Sequence, residues 1–539
     1  MALTKATNRM IAGANVSASD FGLVGDGVTD DGPAIQRAIN SIPNGGTVLI
    51  PEGTFRITTG VLITKGVRLL GAGRYNFNGY TTSASQVGSG ATLIRVSNGV
   101  TAFSFNKGTN VTAFGCSIEE MSFASSNISN AAYNAPPVFP ANTHAINMNQ
   151  TAELVLDRLD FMNLDKCIFN TTGILAVKPF MQNLTAKDCN YFIKAEDAAA
   201  DYTVSNISLI KMNYGIHTTS LDGLVMNNAI IYRSYVSAMY DVGGGSNQIS
   251  NFINISNSHF FESGSTLCYF HSISQLTITG CDFVRAGLVT NTVQTGLLIY
   301  NSETVSVSGG MIERCLGDGA QVYGNRFVDF ATNIMSPGYT KGSRTGLIAY
   351  DNESINVDCN ITCVGVVAIA AASFGTSKAV SGVITTDNII TGRTGTLVQR
   401  GVTEYVQCLT FPSVIAQGGN VNLAVSIPYF LNGSTDSAGN KAGQQLIVYE
   451  VEFPTGGTGV GVQGLVFRLD SNFSTVLDST GLMNFRQIIA TNTSGGNQSG
   501  TFNVYLHNLV AAGLGNFTIK PGSIVKFKYK IVEHSIQTY

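Results

Sequence analysis

Between Leu154 and Arg314 one short pattern of apolar and polar positions returns seven times, at intervals of 22 to 29 residues. The pattern is apolar, x, apolar, x, turn residue, apolar, x, apolar. Its units are Leu154/Leu156 with Leu159/Phe161, Pro179/Met181 with Leu184/Ala186, Tyr202/Val204 with Ile207/Leu209, and Leu224/Met226 with Ala229/Ile231. Ile253/Ile255 with Ser258/Phe260, Leu276/Ile278 with Cys281/Phe283, and Val305/Val307 with Gly310/Ile312 complete the series. Alternation at period two predicts strand. Between the halves runs a column of Arg158, Asn183, Asn206, Asn228, Asn257, Gly280 and Gly309, largely residue types that tolerate left-handed backbone at a one-residue bend. Each unit therefore reads as two short strands joined at a corner.

A period of this length with alternating apolar positions predicts a solenoid, in which a unit buries its apolar face only by stacking on its neighbours. Two or three strands per turn point to a parallel β-helix. Equivalent positions of successive turns then lie about 4.8 Å apart, so Phe161, Phe260 and Phe283 are expected inside and the Asn and Gly column at a corner.

Upstream, Asp30 or Asp31, Pro33 and the apolar positions 34, 35, 38, 39 and 42 predict a short amphipathic helix ended by Gly45-Gly46. Placed just before a solenoid, it reads as the cap that an open sheet end requires. Strands are expected over Thr47 to Ile50, Thr54 to Ile57 and Val61 to Leu70, and a surface loop over residues 127–142 with Pro136, Pro137 and Pro140. The rhythm loosens through Phe327 to Val357 and Val364 to Ile390, and composition shifts to Gly, Thr and Arg around Gly392 to Gly401. Beyond Glu404 longer alternating strands are expected over Tyr405–Phe411, Val421–Ile427, Gln445–Phe453, Gly464–Leu469, Thr501–Leu506 and Ile524–Val532. Gly-rich turns between them predict a compact antiparallel β-sandwich. The expected division is a lead over 1–19, a capped β-helix over 20–400 and a sandwich over 404–539.

Composition narrows the function. The 539 residues are only 12% charged and lack Trp, which suits a turn-rich β protein. A net charge of −3 gives no electrostatic case for nucleic acid, and no apolar run reaches the length that spans a bilayer. Nine cysteines without metal-like clustering apart from a Cys359-x3-Cys363 pair, one of them (Cys281) inward-facing, predict buried free thiols rather than a disulfide frame. Met1 to Gly13 lacks the layout of a signal peptide, so export by a secretion pathway is not expected. No cofactor and no metal are expected. Gly71-Ala72-Gly73 lacks the Lys-Ser/Thr of a phosphate loop.

Lys5-Ala6-Thr7-Asn8-Arg9-Met10-Ile11, followed by Asp20-Phe21-Gly22 and Gly25-Asp26-Gly27-Val28-Thr29-Asp30-Asp31, resembles the start of the pectate-lyase-like β-helix of bacteriophage tailspikes, capsule depolymerases among them. The continuation through Gly46-Thr47-Val48, Ile50-Pro51 and Gly53-Thr54-Phe55 resembles polysaccharide-degrading β-helix enzymes at large. The resemblance implies an all-β fold, a right-handed parallel β-helix with an N-terminal capping helix and a C-terminal β-sandwich for trimerisation or glycan binding. It also implies a homotrimeric virion appendage, synthesised in the host cytoplasm, that meets other phage tail proteins and cleaves host surface (capsular) polysaccharide. The glycines and aspartates of the N-terminal block look architectural in that family.

Aligning the seven units places side chains on the outer face of the second strand. One column reads Asp160, Thr185, Ser208, Ile230, His259, Asp282, Met311; two residues on, another reads Met162, Lys187, Ile210, Tyr232, Phe261, Val284, Glu313. Just past the strand comes Asn163, Asp188, Lys211, Arg233, Glu262, Arg285, Arg314, conspicuous in a chain this poor in charge. As a solvated ladder it would contribute little; as a groove it would hold an anionic glycan with Arg233, Arg285 and Arg314 while carboxylates work on the bond. His259 and Tyr232 join the substrate-binding set. Asp282 and Glu313 lie one turn and two strand residues apart, roughly 8 Å, within the inverting range of about 6.5 to 9.5 Å; with Glu262 in reserve they are the expected catalytic residues of a glycoside hydrolase, and hydrolysis by paired carboxylates is the expected reaction. Further outward acids are Asp188, Glu196, Asp197, Asp241, Asp318 and Asp329. A lyase would instead use a base such as His259 with Arg285, and a receptor-binding tail protein would grip the glycan without cutting it.

Overall fold

The computed structural model describes residues 15–75, 90–105, 113–126, 135–171, 176–242, 250–338, 344–362 and 370–386, together with the strands named below beyond residue 390. Two compact units emerge, residues 1–384 with 393–398, and residues 385–392 with 399–539.

The first unit is a parallel β-solenoid of about 12 turns. Its strands stack in register from turn to turn. One inward column runs Leu156, Met181, Val204, Met226, Ile255, Ile278, Val307, Phe330, Val357. A second runs Phe161, Ala186, Leu209, Ile231, Phe260, Phe283, Ile312. A third strand in each turn supplies Ile168, Ile193, Ile216, Met239, Cys268 and Leu297. Every inward position of the seven predicted units is buried except Gly310, and burial of each large side chain contributes about 1.5–3 kcal/mol. Phe260 and Phe283 stack at 5.3 Å; Phe161 finds its partners in Phe123 at 5.4 Å and Phe192 at 6.1 Å.

All seven residues of the predicted corner column have positive φ, from 47° at Asn257 to 66° at Gly309. Their side chains form a ladder. Asn183 donates to Asp157 (2.9 Å), Asn206 to Asn183 (3.3 Å) and Asn228 to Asn206 (2.7 Å).

Near the N-terminus the helix α1 (Gly32–Ser41) has Asp31 as N-cap residue and buries Ala34, Ile35, Ala38 and Ile39. Asp31 does not cap it by side chain; its carboxylate accepts from the Val24 and Gly25 amides at 2.7 and 3.1 Å. Gly25 has φ 72°, and a Cβ there would stand 2.7 Å from the Phe55 ring. Gln36 exchanges hydrogen bonds with Leu62, tying α1 to the strand Val61–Ile63. The stretch expected as one strand over Val61 to Leu70 is two, Val61–Ile63 and Val67–Gly71.

In the second unit Tyr405–Thr410, Ile524–Glu533, Gln444–Glu452 and Val466–Arg468 form one antiparallel sheet, and Asn420–Ile427, Gly500–His507 and Asn484–Thr491 another. Asn484–Thr491 is a strand that the alternation pattern missed.

Seven cysteines, 116, 167, 189, 268, 281, 315 and 359, are buried and free; Cys363 and the Cys408 side chain lie outside the described residues. Among the described residues no helix is long and apolar enough to cross a membrane.

Candidate active site

The predicted site residues occupy four adjacent turns on the second sheet and the corner that follows it. Register stacks Ile230, His259, Asp282 and Met311, and beside them Tyr232, Phe261, Val284 and Glu313. His259 Nδ1 lies 2.8 Å from Asp282 Oδ2, with His259 43% and Asp282 21% exposed at the side chain. The other Asp282 oxygen accepts from the Met311 amide at 3.1 Å. Both oxygens of Asp282 are thus committed. With Nδ1–H donating to that carboxylate, Nε2 of His259 carries the lone pair. The ring is walled by Phe261, 5.9 Å away, which in turn meets Tyr232 at 6.4 Å.

The charged column is a second left-handed corner. Asn163, Asp188, Lys211, Arg233, Glu262, Arg285 and Arg314 all have φ between 52° and 63°. Glu262 is clamped between Arg233 (3.1 Å) and Arg285 (3.2 Å), and Asp188 is paired with Lys211 at 2.8 Å. Of the two readings of this column, the ladder has Glu262 between Arg233 and Arg285 as found, but it is not solvated: Asp188, Lys211, Arg233 and Glu262 are buried, where removal of one partner of an ion pair costs about 3–5 kcal/mol. Arg285 and Arg314 keep 43% and 44% of their side-chain surface, and Arg314 pairs with Glu313 at 2.9 Å.

Two further acids expected to face outward are interior. Asp188 is buried at the corner, and Asp241, fully buried, accepts from Thr218 (2.6 Å) and Ser250 (3.1 Å). Glu196 pairs with Lys194 at 2.5 Å, Asp318 accepts from Gln321 and the Thr345 amide, both at 2.8 Å, and exposed Asp329 accepts from Asn356 at 2.9 Å. The Asp197 side chain lies outside the described residues. Asp160 had no place among the expected residues. Burial pushes its carboxyl up to about 6 against the Thr185 hydroxyl bond and Arg74. It lies four turns from His259, about 19 Å along the stack, and is 1% exposed. Its position in the outward column was legible; that Arg74 and Tyr75 fold over its neighbourhood was not.

Residues 15–240 match the family described as Rhamnogalacturonase A/epimerase, pectate lyase-like. Over those residues the chain is similar to a pectate-lyase-like domain. Its match ends at Tyr240, before His259. A stretch of 66 residues is 46% identical to mannuronan C5-epimerase AlgE3 of Azotobacter vinelandii, covering 11% of this chain and 4% of that protein. Over 61 residues the chain is 43% identical to the preneck appendage protein of Bacillus phage PZA, covering 11% of this chain and 7% of that protein. The chain therefore spans a small part of either relative's length. Among solved structures, the enzymatically active domain of tailspike protein 2 of bacteriophage CBA120 aligns over 97% of this chain and 76% of its own at 11% identity and a TM-score of 0.38.

Proposed function

We propose that the chain is a tailspike-type depolymerase that cleaves an acidic host surface polysaccharide at His259. The observation carrying this reading is the His259–Asp282 contact of 2.8 Å, with the half-exposed guanidinium of Arg285 three residues beyond Asp282. A base oriented by a carboxylate, beside a cation that can hold a uronate carboxylate, suits proton abstraction next to that carboxylate. The carbon loses its proton to Nε2, the electron pair forms a C=C bond, and the glycosidic oxygen leaves with a proton from solvent. Arg314 extends the anion-binding edge, Tyr232 and Phe261 wall the ring, and the Arg233–Glu262 pair braces the corner.

A second reading, hydrolysis by Asp282 and Glu313, is supported by their register one turn and two residues apart. The products separate them. Digestion of purified host polysaccharide is expected to yield fragments with ultraviolet absorbance from the new double bond; reducing ends without absorbance would favour hydrolysis. Intact polysaccharide after prolonged incubation would leave a glycan receptor that does not cut.

The wider reading is a homotrimer in the virion tail. Exposed apolar side chains on the outer face of the first sheet, Phe180, Val225, Phe252 and Phe327, support an interface there. In this reading 1–19 is a lead, 20–400 a β-helix capped by α1, and 404–539 a sandwich that trimerises or binds glycan.

A further inference from the structure

The outer face of the third strand carries a feature that the site above does not use. Register sets Tyr191 beside Tyr214, and His217 beside Tyr240 and then Tyr269. In a further outward column His271 is followed by Tyr300, Tyr323 and Tyr350. The aromatic line thus crosses the sheet obliquely, spanning six turn-to-turn steps or about 29 Å. Ring contacts are unbroken over most of it. Tyr191 and Tyr214 stack at 4.9 Å and 2°, His217 and Tyr240 at 5.0 Å and 19°, and Tyr240 meets Tyr269 at 5.0 Å. Tyr269 continues to His271 at 6.4 Å, His271 to Tyr300 at 5.1 Å, and Tyr323 stacks on Tyr350 at 5.8 Å.

Stacked contacts alternate with perpendicular ones, His217 standing edge-on to Tyr191 and Tyr214 at 5.5 and 5.1 Å, so neighbouring rings cover one another along the line. The phenolic hydroxyls form a row of hydrogen-bonding groups, about one per turn at the spacing of the stacked strands; that of Tyr350 meets Ser373 at 3.1 Å, and His271 Nδ1 meets Ser272 at 3.3 Å. Charge gathers at one end, where Lys194 lies 5.1 Å over the Tyr191 ring and pairs with Glu196. Beyond it burial lowers the pKa of His217 and His271 and favours their neutral forms, so nucleic acid or an acidic peptide finds no cationic row. The line also shares a turn with the reaction site: His259–Ser263 leads directly into Cys268–His271.

We propose that this oblique tyrosine–histidine line is a second, non-catalytic track that binds a polysaccharide strand through its recurring hydroxyl groups. The inference rests on reading the chain as glycan-acting and adds a place where uncut polymer is held beside His259. The test combines Tyr240→Phe, Tyr269→Phe and Tyr300→Phe, which keeps the stacked rings and removes three hydroxyls. Binding is read on an array of purified bacterial surface polysaccharides in a His259→Ala background, so that no cleavage intervenes. The triple variant is expected to bind at least about tenfold more weakly than His259→Ala alone, with unchanged melting temperature and unchanged mass by light scattering. With His259 intact, it is expected to raise KM on long polymer while leaving kcat on short fragments unaltered. Equal retention on the array overturns the track, as does the absence of any bound glycan for His259→Ala. A changed oligomeric mass overturns it in favour of contact between copies. If the protein binds through these hydroxyls but never releases fragments, the track stands and the depolymerase reading falls.

Discussion

His259 and Asp282 divide the proposed chemistry between a base and the group that aims it, so their substitutions differ in kind from that of Glu313. Asp282→Asn keeps the shape but turns an acceptor toward Nδ1 into an amide, and His259→Ala removes the base. Each is expected to lower kcat/KM on host polysaccharide by about 10²- to 10⁴-fold, with thermal unfolding little changed because both side chains lie on the outer face. Glu313→Gln is expected to stay within a few-fold of wild type; a loss as large as that of Asp282→Asn would move the reaction to hydrolysis. Asp241 belongs to stability. Burial pushes its carboxyl up to about 7, above the ordinary value of 3.8, although Thr218 and Ser250 both donate to it. The folded state therefore binds this proton more tightly than the unfolded chain. The contribution is fully present below about pH 4 and is lost as pH rises through about 7, at most about 1.4 kcal/mol per pH unit. Asp241→Asn is expected to flatten that dependence, so that its melting temperature gains on wild type between pH 5 and pH 8.

At the scale of the element, the turns depend on corners. Gly309 and Gly310 are consecutive left-handed residues with φ of 66° and 64°. A Cβ on Gly310 would stand 1.9 Å from the Cys281 carbonyl oxygen of the preceding turn, whereas one on Gly309 meets nothing closer than 3.5 Å. Gly310→Ala is expected to cost about 3 kcal/mol or more and Gly309→Ala about 1 kcal/mol, read as melting temperatures side by side. The two corners also explain what was legible. Six of the seven positions of the first carry Asn or Gly, whose local preference announces left-handed backbone. The second carries Lys211, Arg233, Glu262, Arg285 and Arg314 in the same conformation, which none of these types prefers; stacking on neighbouring turns imposes it. The aromatic line was missed, although a signal for it is present in the sequence. Tyr191, Tyr214, Tyr240, Tyr269, Tyr300, Tyr323 and Tyr350 recur at intervals of 23 to 31 residues, close to the repeat itself, but the third strand has no turn signature to anchor its register.

For the whole molecule, the exposed Phe180, Val225, Phe252 and Phe327 lie on one sheet, and a face of that kind predicts association. Light scattering is expected to give three times the chain mass of 57.0 kDa, and a monomer would remove the trimer from the proposal. What the sequence by itself determined was the solenoid: alternation at period two, a turn residue at each bend and a constant interval leave stacking of parallel turns as the way to bury the apolar columns. It also aligned His259 with Asp282 and Tyr232 with Glu313, because register follows from the same interval. Tertiary structure alone decided depth and pairing. Asp160, Asp188 and Asp241 read as outward or unremarkable acids, yet each is closed off by neighbours distant along the chain, and Glu262 is buried between two arginines rather than solvated. Periodicity reports which way a side chain leaves the strand; whether water reaches it depends on what later folds across that face.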